Sequence, residues 1–301
     1  MKRLEMLFPK EDQEFWTNAL QNVQSITEIR LRSGKPAIAQ MGMQEYFLTK
    51  EGGFSKNREQ SRCFSHEELS AILLRLCRHS LYAYEEELRA GFLTLEGGHR
   101  LGVSGETVVE DGKILTMKNI AFLNLRIAHE IRGAADELLP FVYEGSRPLN
   151  TLIISPPGCG KTTILRDLIR QISEGNAYGA GCSVSVVDER AEIGGSYLGI
   201  PQNDLGIRTD VLCGCPKAMG MRMLIRSMSP RVMAVDELGS REEMEEIHEA
   251  KRCGVTVLAT LHGDSLQSVK ERGLWDCFDL FVILGRGDPA PKILERYRRK
   301  Q

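Results

Sequence analysis

The stretch TLIISPPGCGKTTILRDLIR, from Thr151 to Arg170, runs from an apolar segment through a Pro/Gly turn into an amphipathic pattern. A buried strand, a glycine-containing loop that ends in Lys-Thr, and a helix are the parts of a phosphate-binding loop. In such a loop the backbone N–H groups turn toward an anion, and the helix N-terminus adds partial positive charge. The stretch therefore predicts a site for the phosphates of a nucleotide.

The residues of this loop have separate expected roles. Lys161 is expected to reach the β- and γ-phosphates of ATP, and the Thr162 hydroxyl is expected to bind Mg²⁺. The usual pattern begins with glycine at the position of Ser155. A small residue can still turn the chain there, because the two prolines after it restrict φ. The alternative is an ordinary glycine turn between a strand and a helix. The predicted nucleotide-binding residues are Pro157, Gly158, Cys159, Gly160, Lys161, Thr162 and Thr163.

Composition limits the class of protein. The 301 residues suffice for about two domains, and 42% apolar with 27% charged residues is typical of a soluble globular chain. A net charge of −2 gives no general attraction to nucleic acid or anionic membranes. The sequence shows no transmembrane segment and no signal-peptide core, which predicts a cytoplasmic protein with reduced cysteines. Cys213 and Cys215 form a close pair, but this spacing alone is a weak metal pattern.

The first part of the chain, residues 1–143, mixes strand-like alternation with a helical segment. Ser65 and Glu68 form a capping box at the start of that helix. Asp111 and Gly112 lie between two strand-like runs and predict a hairpin turn. These patterns predict a smaller α+β domain at the N-terminus.

The second part, residues 144–301, alternates apolar strands with helices. Glycines and a proline between Gly145 and Pro148 mark the predicted boundary. Strands that are apolar throughout and separated by helices indicate a mainly parallel sheet covered on both faces. The fold class is therefore α/β, and ligands of such sheets bind at the carboxyl ends of the strands.

One pair of acids follows the predicted strand VMAV. Beside a phosphate loop, Asp236 is expected to hold Mg²⁺, and Glu237 is expected to act as the base that polarises the attacking water. The alternative is that both acids only cap the helix that begins near Ser240.

Two further predicted strands end in polar residues. Asp188 and Glu189 end VSVVDE and could position a water, or could belong to a solvated loop. Thr260 and His262 end VTVLATLH, where His262 could sense the γ-phosphate or order the attacking water. The alternative for His262 is a purely structural role.

These motifs carry a resemblance to a known superfamily. VVDERAE, SMSPRVMAVDE and ATLHGDS occur in the order of the aspartate box, second Walker motif and histidine box of the type II/IV secretion ATPases. EIRLRSGKP, GGHRLGVSGE and LNLRIAHEIRG resemble a sporulation branch of that superfamily, found in endospore-forming bacteria. The resemblance extends from about Ile26 to Gly285 and implies a RecA-like P-loop ATPase domain.

Two departures from the superfamily stand out. Asp236 occupies a position where secretion ATPases generally carry glycine, which implies metal handling closer to that of ordinary RecA-like enzymes. Asp188 and Glu189 reverse the usual Glu-Asp order of the aspartate box, so which carboxylate acts stays open.

The resemblance also implies assembly and location. It implies a homo-oligomer, a hexameric ring, in the mother-cell cytoplasm at the membrane that faces the forespore. Its implied partners are membrane proteins of a secretion-like channel, and hydrolysis of ATP with Mg²⁺ would drive assembly of that channel or transport through it. The superfamily motifs further imply that Arg100 and Arg126, on N-terminal strands, approach the nucleotide as catalytic arginines. The alternative is that they pair with acids on the surface of that domain.

Two other functions are compatible with a P-loop. A nucleic-acid motor needs a basic groove with aromatic residues, whereas aromatics are 6% of this chain and its basic cluster is the tail from Glu295 to Lys300. We interpret that tail as a solvated helix end and expect no nucleic-acid partner. A scaffold that binds ATP without hydrolysing it is the second alternative, which the paired acids Asp236 and Glu237 disfavour.

Overall fold

The computed structural model describes residues 4–287 and 291–299. Its contacts divide the chain into two compact units, and the division falls between His129 and Glu130. The sequence pattern instead predicts the boundary between the two domains near Tyr143. Each unit has its own apolar core.

Residues 130–143 lie with the second unit because both their side chains and their backbone are held there. Ala135, Leu138 and Val142 are fully buried in the core of that unit. The backbone N–H of Ala135 also donates to the Asp167 carboxylate at 2.9 Å. Buried apolar contacts therefore place the change of unit earlier than the glycines and proline that follow this segment.

The N-terminal unit is built on an antiparallel sheet with the order β4-β3-β2-β1-β7-β6-β5. The predicted capping box of Ser65 and Glu68 is present at the start of the second helix, and Asp111 and Gly112 both adopt positive φ in the predicted hairpin turn. The α+β prediction is confirmed. The elements are β1 (Glu28–Arg32), β2 (Ile38–Met41), β3 (Gln44–Leu48), β4 (Phe54–Ser55), β5 (Phe92–Thr94), β6 (Arg100–Glu110), β7 (Lys113–Arg126), α1 (Gln13–Ala19), α2 (His66–Leu76) and α3 (Glu85–Ala90).

His99, just before β6, gives this unit a pH-dependent stability. It is 8% exposed, and its Nδ1 accepts the Ala128 N–H at 3.1 Å. Burial, together with the nearby His129, lowers its pKa to about 4. In the unfolded chain His99 takes up a proton at its ordinary pKa of about 6.5, whereas in the folded unit it does so only near pH 4. The free energy of unfolding should therefore fall by up to about 3 kcal/mol as the pH is lowered from 6.5 to 4.

Urea titrations across this pH range measure that fall. Trp16 is fully buried in this unit. Its fluorescence reports the unfolding of this unit once Trp275, the other tryptophan of the chain, is replaced by phenylalanine. His99→Gln should flatten the pH dependence, and His66→Gln, at an exposed position of the same unit, should leave it unchanged. Equal pH dependence in all three chains would contradict the assignment to His99.

The second unit contains a sheet with the order β14-β13-β15-β16-β10-β17-β18. Its neighbouring strands pair parallel except for β17 with β18, so the predicted mainly parallel α/β sheet is confirmed. Two-stranded pairs β8–β9 and β11–β12 accompany it. The elements are β8 (Tyr143–Glu144), β9 (Arg147–Pro148), β10 (Thr151–Ser155), β11 (Gly175–Asn176), β12 (Gly179–Ala180), β13 (Val184–Asp188), β14 (Thr209–Cys213), β15 (Val232–Val235), β16 (Thr256–His262), β17 (Leu280–Gly285), β18 (Lys292–Arg298), α4 (Leu139–Val142), α5 (Lys161–Glu174), α6 (Lys217–Met228), α7 (Arg241–Arg252) and α8 (Leu266–Glu271).

The chain end differs from its predicted structure. Instead of a solvated helix end, the basic tail forms β18, which pairs antiparallel with β17 from Leu280 with Arg298 to Gly285 with Lys292. The interpretation as a helix was wrong because backbone pairing at the sheet edge outweighs the helical preference of charged side chains. The last residues of that tail, Lys300 and Gln301, lie outside the described residues.

The sheet brings the predicted motifs to one edge. Ser155 of β10 lies beside His262 of β16, and Val235 of β15 lies beside Ala259 of β16. The residues that follow these strands therefore converge beside the loop between β10 and α5. In the described part of the chain, none of the helices combines the length and the apolar character needed to cross a membrane.

Candidate active site

The loop between β10 and α5 has the backbone that a phosphate-binding loop requires. Gly158 and Gly160 adopt φ of +73° and +81°, a region that strongly favours glycine. At Gly160 an added Cβ would also lie 2.4 Å from the Pro291 ring. No described side chain caps the first turn of α5. The N–H groups of that turn are therefore available to an anion, as expected for a phosphate-binding loop.

Lys161 lies inside this loop, with 5% exposure. Its Nζ contacts the carbonyl oxygens of Ser155 and Pro156 at 3.2 and 3.4 Å and the Nδ1 of His262 at 3.1 Å. Burial lowers its pKa, and the nearby carboxylates of Asp236 and Glu237 oppose this effect. The ammonium group therefore lies at the centre of the loop, between its carbonyls and the strand-end acids.

Asp236 connects the phosphate loop to the neighbouring strand. The Thr162 hydroxyl donates to its Oδ2 at 2.8 Å, and the Thr260 hydroxyl donates to its Oδ1. Thr260 also accepts the Glu237 N–H at 2.8 Å. The adjacent hydroxyl and carboxylate oxygens of Thr162 and Asp236 are ligands that Mg²⁺ prefers, so these two residues fit the predicted metal position.

The alternative that these acids cap the next helix is wrong. Ser240 caps α7 through its side chain, which accepts the Glu243 N–H, and the Glu243 side chain accepts the Ser240 N–H in return. This reciprocal pair satisfies the helix start without Asp236 or Glu237.

Glu237 is held by its side chain and by its backbone. Its Oε1 lies 2.7 Å from His262 Nε2, and its Oε2 accepts from Arg190 at 3.1 Å. Its φ is +54°, uncommon for a residue other than glycine. Thr260 binds its N–H, and Lys217 donates to its carbonyl oxygen at 2.7 Å. The position of this carboxylate is thus fixed from several sides.

His262 joins the predicted phosphate-binding lysine to the predicted base. A protonated Lys161 can only donate, so His262 Nδ1 accepts and the ring proton resides on Nε2, from which it donates to Glu237. The arrangement forms a continuous chain of polar contacts from Lys161 to Glu237. It gives His262 a partner on each ring nitrogen.

Asp188 and Glu189 differ in their surroundings. Asp188 is 2% exposed, and its carboxylate accepts the N–H groups of Glu192, Ile193 and Gly194 at 2.8, 3.1 and 2.7 Å. Burial raises its pKa against the effect of these N–H groups. Glu189 is more exposed and lies 3.4 Å from Lys217 Nζ. The carboxylate of Asp188 therefore holds the loop after β13.

These environments predict different effects of two substitutions. Asp188→Asn should lower both thermal stability and ATP turnover, because an amide cannot accept all three N–H groups of the loop. Glu189→Gln should leave the melting temperature nearly unchanged. Melting curves and phosphate release of the two variants check this, and a larger loss of stability in Glu189→Gln would contradict it.

The structure adds residues that sequence reasoning did not assign to the site. Lys217 is the first residue of α6, where a cation is unfavourable beside the positive helix end. Its position is explained by Glu189 and Glu243, each 3.4 Å from its Nζ. A lysine at a predicted helix start was the available signal. For Arg190 the sequence offers no comparable signal, because its partner Glu237 is distant in the chain.

Arg100 and Arg126 lie in the N-terminal unit on adjacent strands. They are directly opposite each other in the pairing of β6 with β7, and Arg126 also lies opposite Glu28 of β1. The Arg100 guanidinium lies 3.5 Å from the centre of the Phe92 ring. Their predicted role toward the nucleotide stays a prediction.

Known proteins are similar to this chain in sequence and in fold. Residues 7–301 match the family described as sporulation stage III, protein AA. The Stage III sporulation protein AA of Bacillus subtilis (strain 168) is 40% identical over 278 residues, which cover 90% of this chain and 86% of that protein. The chain belongs to the sporulation stage III protein AA family.

Two solved structures have a fold similar to that of this family member. The ATPase DotB of Legionella pneumophila has a TM-score of 0.60 at 16% identity, over 95% of this chain and 79% of DotB. The pilus retraction motor PilT, solved with bound ADP, has a TM-score of 0.63 at 14% identity, over 94% of this chain and 83% of PilT. The chain therefore has the fold of the secretion ATPases, as its motifs predicted.

Proposed function

We propose that this protein binds ATP with Mg²⁺ and hydrolyses it as a motor of the secretion-ATPase type. The observation that carries the proposal is the contact between the P-loop hydroxyl of Thr162 and Asp236 at 2.8 Å. It joins the predicted phosphate site to the predicted metal ligand. Glu237 follows directly in sequence, and its carboxylate is oriented by His262 and Arg190.

In this proposal the phosphates lie against the first turn of α5, and Lys161 moves its ammonium from the loop carbonyls to them. Thr162 and Asp236 would hold Mg²⁺, which when bound neutralises charge on the phosphate oxygens. Glu237 accepts the proton of the attacking water. Each carboxylate oxygen can accept more than one hydrogen bond, so Glu237 can bind this water while it contacts His262 and Arg190.

A wider role is proposed here with the support of family membership. We infer a homo-oligomer, a hexameric ring, in the mother-cell cytoplasm at the membrane facing the forespore. Its partners would be membrane proteins of a secretion-like channel, which ATP hydrolysis would assemble or operate. Support comes from the sequence relative in Bacillus subtilis and from the fold of the secretion ATPases.

Phosphate release from Mg-ATP, measured beside light scattering with and without ATP, tests the motor proposal. We expect release that requires Mg²⁺ and a larger particle mass in ATP. Assembly without phosphate release would support an ATP-binding scaffold instead. Release that occurs only with single-stranded DNA would favour a nucleic-acid motor, and an active monomer indifferent to nucleotide would overturn the ring.

The oligomer proposal makes a prediction for Arg100 and Arg126. An arginine that stabilises charge on the transferred phosphoryl group contributes about 10³–10⁵ in rate. We propose that both arginines complete the ATPase site, and a mixing experiment tests whether they act between subunits. Arg100→Ala and Glu237→Gln should each be nearly inactive, and mixing them should restore part of the activity. Full activity of Arg100→Ala and Arg126→Ala alone would contradict the role.

A further inference from the structure

The N-terminal sheet carries a charged face, on which Arg100 and Arg126 lie in one row. Three adjacent strands place their outward residues side by side, since antiparallel partners directly opposite each other share a face. The face contains four arginines against one glutamate. Its rows, in register, are Glu28, Arg126 and Arg100, then Arg30, Asn124 and Gly102, then Arg32, Phe122 and Ser104.

A groove opens on this face, with a volume of about 300 Å³. This volume is at the lower end of the range for small-ligand sites. We call it the sheet-face groove. The outward residues that line it are Arg30, Arg32, Gly102, Ser104, Phe122 and Asn124.

Some polar groups of the groove lack hydrogen-bond or ion-pair partners among the residues that the structure describes. Asn124 donates through Nδ2 to Glu28 at 3.3 Å, whereas its Oδ1 is buried without a donor among the described residues. Arg30 pairs with Glu28 at 2.5 Å. For Arg32 the described part of the chain provides no acidic partner. A buried acceptor without a donor is costly, and an added ligand could supply that donor.

Phe122 adds an apolar surface to the same groove. It lies directly opposite Arg32, and its side chain is 48% exposed although it is a large hydrophobic residue. An exposed ring beside arginines can stack against a planar group. Gly102, opposite Asn124, leaves the groove open because it has no side chain.

We propose that the sheet-face groove binds a phosphate monoester carried on a planar ring, of the size and chemistry of a nucleoside monophosphate. The phosphate pairs with Arg32 and Arg30, the ring lies against Phe122, and an N–H or O–H of the ligand donates to Asn124 Oδ1. A carboxylate side chain of a peptide would use the arginines but would leave Phe122 and Asn124 unused. The volume also favours a small molecule.

Calorimetric titration of the full chain carrying Lys161→Ala tests this groove separately from the P-loop. The probes are AMP, GMP and UMP, with adenosine and inorganic phosphate as the separate halves. We expect saturable binding of one monophosphate or more, and at least about 10-fold weaker binding of either half. The result does not depend on ATP hydrolysis, so failure of the proposed motor leaves this test intact.

Two further substitutions in the same chain locate the binding. Arg32→Ala removes a guanidinium for which the described residues provide no acidic partner, and it should weaken binding about 10-fold or more. Gly102→Val should abolish it by filling the groove, and it should fold normally, since an added Cβ meets its nearest atoms at 3.7 Å. Arg58→Ala, at an exposed position of the same unit, is the matched control and should bind normally.

The outcomes separate clearly. The absence of saturable binding by all three monophosphates would overturn the proposal. So would binding that persists in both Arg32→Ala and Gly102→Val, or phosphate alone binding as tightly as the monophosphates. Melting curves of the variants identify any loss that comes from misfolding, and the variant that keeps the normal melting temperature then decides.

Discussion

In a fluorescent-nucleotide titration, Lys161→Ala should lower the affinity for ATP by at least about 100-fold, because the phosphates lose a charged partner in a buried site. The substitution also removes the contact to His262 Nδ1, which then loses its donor. Turnover should therefore fall together with affinity.

The structure provides a control for this experiment. Lys270 lies outside the site, with its Nζ 4.6 Å from the centre of the Trp275 ring. Lys270→Ala should bind ATP normally. Unchanged affinity in Lys161→Ala would show that the loop is a structural turn, and the nucleotide proposal would fail with it.

Replacing Glu237 by glutamine should reduce turnover about 100-fold or more while ATP affinity stays nearly normal. The amide keeps the shape of the side chain and one acceptor oxygen, but it cannot take a proton from water. Single-turnover phosphate release beside nucleotide binding measures the two quantities separately.

Asp236→Ala and His262→Ala complete the comparison with Glu237→Gln. Asp236→Ala should weaken Mg²⁺-dependent binding, because Thr162 loses its acceptor and the metal loses a carboxylate. His262→Ala should slow hydrolysis at normal affinity, since it frees one oxygen of Glu237. If Asp236→Ala and Glu237→Gln behave alike, the division between metal ligand and base is wrong.

The sequence predicted those parts of the site that depend on local pattern. The P-loop follows from glycines at positions of positive φ, and the acids follow from the ends of apolar strands. Contacts between segments that are distant in the sequence could not be predicted from local patterns. Arg190 reaches Glu237 and Lys217 reaches Glu243 only after the sheet has formed. The burial of Asp188 and its three N–H partners likewise leave no trace in a single sequence, and its catalytic role stays a prediction.

The fold likewise has features that local sequence predicts and features that depend on tertiary contacts. Helix starts such as Ser65 with Glu68 were predictable because a capping box is complete within a few residues. Strand β18 was not, because its charged sequence is compatible with a helix and its pairing with β17 is a tertiary contact. The unit division near His129 likewise depends on where Leu138 and Val142 are buried.

The left-handed backbone of Glu237 has a consequence for how this chain can vary. At φ of +54° a residue with a side chain costs about 1 kcal/mol or more relative to glycine. Glycine at position 237 would relax that strain and at the same time delete the carboxylate that contacts His262 and Arg190. Under the proposed function, selection for stability and selection for hydrolysis therefore oppose each other at this residue. Under that proposal, glycine at position 237 would be compatible with a heat-resistant chain that no longer hydrolyses ATP.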